Sequence, residues 1–287
     1  MSSFNRDQLL PDYLSVPAEQ LGAGTPVKVL RAGDMMDMAR VLAEQMKAEI
    51  VSANKQGRGA TFIIPVGPVD QYPLLAEMLN SEGISCRDIV FIGMDEYLGD
   101  DGLWIPMEHP LSFRGYLNRK FYDLLDPSVA PPVEHRVFPD PRKLGAIPEL
   151  IASRGGVDVC WGGIGITGHI AFNEPPEPDE PISLEEFAAL PTRVLPLTRE
   201  TCTINSVTVG GEISIIPRQA VTVGMKEILS ARRLRLYCNR PWQSSVVRRV
   251  LHGPITPRCP ASLMRTHPDA SLTVADYVAA PPDIRLR

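Results

Sequence analysis

Short apolar runs alternate with amphipathic helical stretches along most of this chain, and that alternation limits the folds open to it. VKVL, TFIIPV, DIVFIG, VDVCW, QAVTVG, LRLYC and SLTVAD read as strands. Between them, a segment capped by Asp34 repeats Met38, Leu42, Met46 and Ile50 every four residues, which gives a helix with one buried face. QYPLLAEML, SFRGYLNRKFYDLL, MKEILSA and WQSSVVRRVL supply further helices. Parallel strands need crossover connections, so the pattern predicts a doubly wound α/β fold: a mainly parallel sheet with helices on both faces, in a single domain. Residues 25–287 are assigned to that domain. Residues 1–24, polar with scattered apolar positions and ending in LGAGTP, are expected to form an N-terminal extension outside the main core.

Composition narrows the class. A chain of 287 residues with 44% hydrophobic and 22% charged residues can bury a large core unaided. No stretch approaches the roughly 20 apolar residues of a membrane span, and the opening MSSFNRDQLLPDYL lacks the layout of a signal peptide, so neither membrane insertion nor export is expected. The five cysteines (Cys86, Cys160, Cys202, Cys238, Cys259) are scattered and form no CxxC pair, which points to reduced thiols, a cytoplasmic address and no zinc site. A net charge of −5 without a basic run argues against nucleic acid as a partner.

In parallel sheets ligands sit beyond the carboxyl ends of the strands. Met94-Asp95-Glu96-Tyr97 follows DIVFIG, and GGIGITGHIAFNEP follows VDVCW. The second segment contains Gly163-x-Gly165-x-x-Gly168, with Glu185 and Glu186 downstream, and so matches the dinucleotide fingerprint in spacing. A dinucleotide loop must open a helix, however, and IAFNEPPEPDEP is too rich in proline to continue one. No cofactor and no metal are expected. His169 closes a glycine-rich turn at a strand end, where backbone approaches ligand. His109 is expected to cap the next helix, and His135, His252 and His267 to lie on the surface.

MDEYLG at 94–99, HPLSFRGYLNRKFYDLL from His109, GGIGITGHIAFNEP, LPLTRETCTINS and AVTVG at 220–224 together resemble the glucosamine-6-phosphate deaminase/isomerase family, whose more distant relatives are 6-phosphogluconolactonases. The resemblance spans roughly residues 60–280, and GHIAFNEP favours the deaminases. It implies an aldose–ketose isomerase or deaminase acting on a small amino sugar. Asp95 would be the base at C2, His169 the group that assists ring opening, and Glu174 its acidic partner. Glu96, Gly67, Gly165, Thr167, Gly168, Asn173, Arg199, Arg240 and Trp242 are the candidate substrate contacts. Residues 174–197, acidic and proline-rich, are expected to form a lid, and a homo-oligomer is compatible with the resemblance.

The departures from the family pattern cluster where substrate is held. Thr167 stands where members carry Asp or Asn, leaving a hydroxyl that still hydrogen-bonds. The loop Pro65-Val66-Gly67-Pro68-Val69-Asp70 is short, with apolar and acidic residues where phosphate donors are expected. Val207 replaces the arginine after Asn205-Ser206, and Gln243 falls where the lysine belongs. A phosphate dianion buried without charged donors carries a large desolvation penalty, so the expected substrate is an unphosphorylated or differently decorated sugar. The alternative is that Arg199, Arg240 or Arg248 supplies the missing charge. Two other functions stay open: hydrolysis of a sugar lactone, and a sugar-binding module without catalysis.

Overall fold

The central strands are buried along their whole length and almost entirely apolar, Thr61 excepted, because both of their faces are covered. In the computed structural model, which describes residues 10–68 and 70–285, every residue of β2 (Ala60–Ile64) and β3 (Ile89–Gly93) is buried. They belong to a seven-stranded parallel sheet with β1 (Lys28–Ala32), β5 (Arg136–Val137), β6 (Val159–Gly163), β9 (Arg233–Cys238) and β10 (Ala270–Ala275), in the order β1-β10-β9-β6-β2-β3-β5. Phe62 faces Phe91 in register, and Trp161 packs edge-on against Phe62 at 4.9 Å.

Helices flank this sheet. Asp34 begins α1 (Met35–Lys55) by accepting from the amides of Met36 and Asp37, and the buried stripe is Met38, Leu42, Met46 and Ile50, as the spacing predicts. α1 packs on α2 (Gln71–Ser81). The remaining helices are α3 (Phe113–Lys120), α4 (Ala146–Ser153), α5 (Leu184–Ala188), α6 (Arg199–Ser206), α7 (Met225–Leu229), α8 (Gln243–His252) and α9 (Asp276–Ala279), and α8 packs on α9. No helix among the described residues is long and apolar enough to cross a membrane.

Three short strands form a second sheet that the apolar runs did not announce. β4 (Asp95–Leu98), β8 (Gln219–Thr222) and β7 (Arg193–Pro196) pair antiparallel in the order β4-β8-β7. QAVTVG is therefore a strand, as expected, but of this small sheet. The chain runs outward from β2 through β3 to β5, then returns to lay β6 on the other side of β2. That reversal is the switch point where a doubly wound sheet opens a crevice. The loops leaving β2 and β6 meet there so closely that a Cβ on Gly163 would lie 2.9 Å from the Gly67 carbonyl oxygen.

Several expectations need correction. The described part of the N-terminal segment is not outside the core: Leu21 is buried in it, Val16 and Ala18 pack against it, and the Val16 carbonyl accepts from Arg248 Nε at 2.9 Å. Residues 1–9 of that extension lie outside the described residues. His267 is buried, with Nδ1 accepting from the Asp269 amide and Nε2 donating to the Ala231 carbonyl. His252 and His135 are half-buried, and His252 Nε2 accepts from the Gly22 amide. Ser112, not His109, caps α3; His109 Nδ1 accepts from the Leu111 amide instead.

Candidate active site

A single row of the small sheet organises the site. Asp95 on β4 lies directly opposite Thr222 on β8, and Thr222 lies directly opposite Arg193 on β7. Directly paired residues of an antiparallel sheet project their side chains to the same face. The loop after β6 crosses that face: Thr222 Oγ1 accepts from the Phe172 amide at 3.1 Å, and Arg193 Nη1 donates to Asn173 Oδ1 at 2.6 Å. The Val223 backbone adds to the join, its amide donating to the Met94 carbonyl and its carbonyl accepting from Asn173 Nδ2. Two segments far apart in sequence, 94–95 and 169–174, are thus fastened to one strand end.

The loop is built to present His169. The Gly168 amide donates to the Gly165 carbonyl and the Gly165 amide to the His169 carbonyl, which closes a tight turn after β6. The imidazole lies on Gly165 so closely that a Cβ there would sit 1.9 Å from Nε2. Gly168 takes a left-handed conformation at φ 88, and Ala171 does so at φ 52 despite its side chain. As the proline content requires, no helix follows the glycines.

His169 Nδ1 lies 3.0 Å from Glu174 Oε2. Thr167 Oγ1 is 2.9 Å from both of these atoms and donates to the carboxylate, while Thr201 Oγ1, from α6, lies 3.4 Å from Nδ1. A carboxylate acceptor at this distance places the ring proton on Nδ1 and leaves Nε2, over Gly165, free to exchange a proton. Burial pushes the Glu174 carboxyl up, but the charge of His169 and hydrogen bonds from His169, Thr201 and Thr167 outweigh it and hold Glu174 below its usual range. Its second oxygen, Oε1, is buried and has no hydrogen-bond partner among the described residues.

Asp95 behaves in the opposite way. It is buried at 7% exposure, and its carboxyl is pushed up to about 8, by burial first and then by the neighbouring Glu96. The arrangement joins a carboxyl that gains and loses its proton near neutrality to an imidazole–carboxylate pair. Such a set is chemically able to carry out acid and base steps at different atoms of one molecule. Tyr97, Phe113 and Phe172 pack as an apolar cluster alongside, with Phe172 edge-on to His169 at 6.0 Å.

No family model matches the sequence. A glucosamine-6-phosphate deaminase of Bacillus velezensis is 30% identical over 83% of this chain and 94% of its own length. This chain belongs to the glucosamine-6-phosphate deaminase family. A glucosamine-6-phosphate deaminase of Streptomyces avermitilis is 31% identical over 74% of this chain and 77% of its own. The fold matches the structure of a monomeric glucosamine-6-phosphate deaminase with a TM-score of 0.75 at 24% identity, covering 88% of this chain and 99% of that one. It matches 6-phosphogluconolactonase from Plasmodium vivax with a TM-score of 0.63 at 16% identity, covering 92% and 96%.

Within this deaminase-family fold, the structure brings Thr167, Gly165, Gly168, His169 and Glu174 together and fastens their loop to the row that carries Asp95. It does not leave every expected contact free for a substrate. Glu96 is fully buried and faces away from Asp95's side of the strand: its two oxygens accept from the amides of Tyr97, Phe113 and Arg114, from Ser112 Oγ and from Arg114 Nε. Its negative charge serves the positive end of α3. Asn173 is also fully buried, its amide consumed by Ile170, Val223 and Arg193, so it shapes the loop. Gly67 is exposed at the crevice beside β6. Arg199 and Arg240 are exposed, Trp242 is half-buried against the main core, and none of the three hydrogen-bonds Asp95, His169 or Glu174. Thr201, Thr222 and Arg193 were absent from the sequence-derived set. Thr201 and Thr222 lie within the LPLTRETCTINS and AVTVG strings that carried the resemblance.

Proposed function

We propose that this deaminase-family enzyme converts a 2-amino sugar to the corresponding ketose and ammonia, and that its substrate carries no phosphate. The observation that carries the reaction is the joining of Asp95, raised to about 8, to the His169–Glu174 loop through one sheet row. His169 Nε2 moves the proton that opens the sugar ring. Asp95 then takes the proton from C2 and returns it to C1, which leaves an imine at C2. Water adds to that imine, the C–N bond breaks and ammonia departs. An unionised Asp95 is a poor base, and the approach of the substrate's ammonium group favours its carboxylate. Residues 25–287 act as one catalytic unit with 174–197 as its lid, and a cytoplasmic setting suits the five free, buried thiols.

The choice of an unphosphorylated sugar rests on where the cations are. Val207 is 69% exposed and brings no charge. Gln243 is buried, its Oε1 accepting from the Arg240 amide and its Nε2 donating to the Ile164 carbonyl, so it holds backbone. Arg248 is unsuited to replace the missing cations: its guanidinium is fully buried on Val16, Ser244 and Ala279. Asp70 sits beside the crevice loop, in which Val69 lies outside the described residues. Ammonia release measured on glucosamine and glucosamine 6-phosphate tests the proposal, with kcat/KM expected to favour the free sugar. Turnover of the phosphate ester alone would overturn the substrate assignment. A sugar acid formed from a lactone, with no ammonia from any amino sugar, would overturn the reaction in favour of hydrolysis.

A further inference from the structure

The row that carries Asp95 ends in a cation for which the proposed chemistry has no use. Arg193 is half-buried on β7, where desolvation pulls its pKa down and Glu227 opposes that pull. Holding a guanidinium there has an electrostatic cost, so its contacts matter. Its shortest is the 2.6 Å hydrogen bond to Asn173 Oδ1, with a longer one of 3.5 Å to the Pro191 carbonyl. Asn173 in turn donates to Ile170 and Val223, and is followed directly by Glu174. β7 is also where the chain returns from the 175–192 excursion, which is docked by Phe187 against Met225 and Leu263 and by Arg258 on the carbonyls of Pro176, Glu177 and Pro178.

We infer that Arg193 is a positioning residue: through Asn173 it fixes the 170–174 turn so that Glu174 holds His169 in line with Asp95, and it ties that geometry to the placement of the excursion. The inference deepens the proposed function and rests on it for the word catalysis, but not for the geometry. Arg193 touches neither His169 nor Glu174. The groups that act on the pair are its own two members, the hydroxyls of Thr167 and Thr201, and Cys202 on α6, whose thiol feels Glu174 and Arg218; Asp95 lies on the sheet row that the loop crosses. None of them hydrogen-bonds Arg193. A change at His169 on substitution of Arg193 therefore reports the relay through Asn173.

The test uses the full chain with Arg193→Gln, Arg193→Met and Arg193→Lys. Each is followed by thermal unfolding, by kcat and KM for ammonia release, and by NMR titration of the His169 imidazole, which does not depend on turnover. Gln and Met are expected to lower kcat roughly 10- to 100-fold with little change in KM, the range that small misplacements of reacting groups produce, and to move the His169 titration. Lys keeps the charge and one donor and is expected to recover much of both. Met fills the space without a buried polar group, so it serves if Gln does not fold. A cooperatively folded Gln or Met variant with wild-type kcat and wild-type His169 titration would overturn the inference. If the wild type releases no ammonia while the variants still shift the His169 titration, the functional proposal falls and the positioning role stands.

Discussion

The two sheets of this molecule are built on opposite rules. In the seven-stranded sheet, strands such as β2 and β3 are buried on both faces, with Thr61 their one polar side chain, and their pairing is parallel and continuous. In the three-stranded sheet the strands are four residues long, and the row at one end of them carries Asp95, Thr222 and Arg193. The first sheet gains stability from packed apolar area and asks nothing chemical of its side chains. The second buries polar groups that are held largely from other elements: Thr222 and Arg193 by the loop after β6, and Glu96 by the start of α3. The large sheet supplies a rigid frame, and the small one, held at its edge, carries the polar groups that a reaction needs.

Three substitutions sharpen that contrast. Asp95→Asn, in the small sheet, is expected to lower kcat roughly 10²- to 10⁴-fold, the range for loss of a general base, while raising stability above neutral pH. The sign follows from its carboxyl being pushed up to about 8: between the unfolded value near 4 and about 8 the folded state binds more protons, so wild-type stability falls as pH rises through that window and levels off above it. The variant should lose that slope, which thermal melts at pH 5, 7 and 9 would show. A wild-type melting temperature with no decline across the window would count against the raised pKa. Phe62→Ala, in the large sheet, removes a ring packed on Phe91 and Trp161 and is expected to cost about 3–5 kcal/mol in denaturant unfolding. The pH profile of whatever folded enzyme remains should be unchanged. Glu96→Gln is expected to cost about 1.5–3 kcal/mol, because an ionised acceptor serving the amides of α3 becomes neutral. It should also lower the Asp95 pKa by removing a like charge, visible as a shifted limb in kcat against pH. An unchanged limb would show that burial alone sets Asp95.

How legible each sheet was follows from the same contrast. TFIIPV, DIVFIG and VDVCW declare themselves because a strand covered on both faces must be apolar, and Asp34 announces α1 because its cap is local in sequence. β4 gives no such signal. Asp95-Glu96 looks like a solvated turn, and only the arrival of α3 above Glu96 and of the 169–174 loop near Asp95 makes burial of both affordable. β7 carries a proline and alternates over four residues, too short a window for a periodicity to register. Thr201 reads as an ordinary position in a polar helix until α6 is seen to direct its hydroxyl at His169. The triad of Asp95, His169 and Glu174 came from the resemblance, whereas the row that joins them required the pairing of strands about 100 residues apart in sequence.

The alternation of Asp95 and Glu96 along β4 has a further consequence for assembly of the enzyme. These neighbours are chemically near-identical but fall on opposite sides of the ribbon, so the alignment of β4 on β8 decides which shares a face with the 169–174 loop and which becomes the helix anchor. A slip of a single residue would swap their stations, turning the longer arm toward the 169–174 loop and the shorter one toward α3. Activity is in that sense a matter of phase. The side chain that meets the 169–174 loop is therefore set by the β4–β8 register before any ligand arrives.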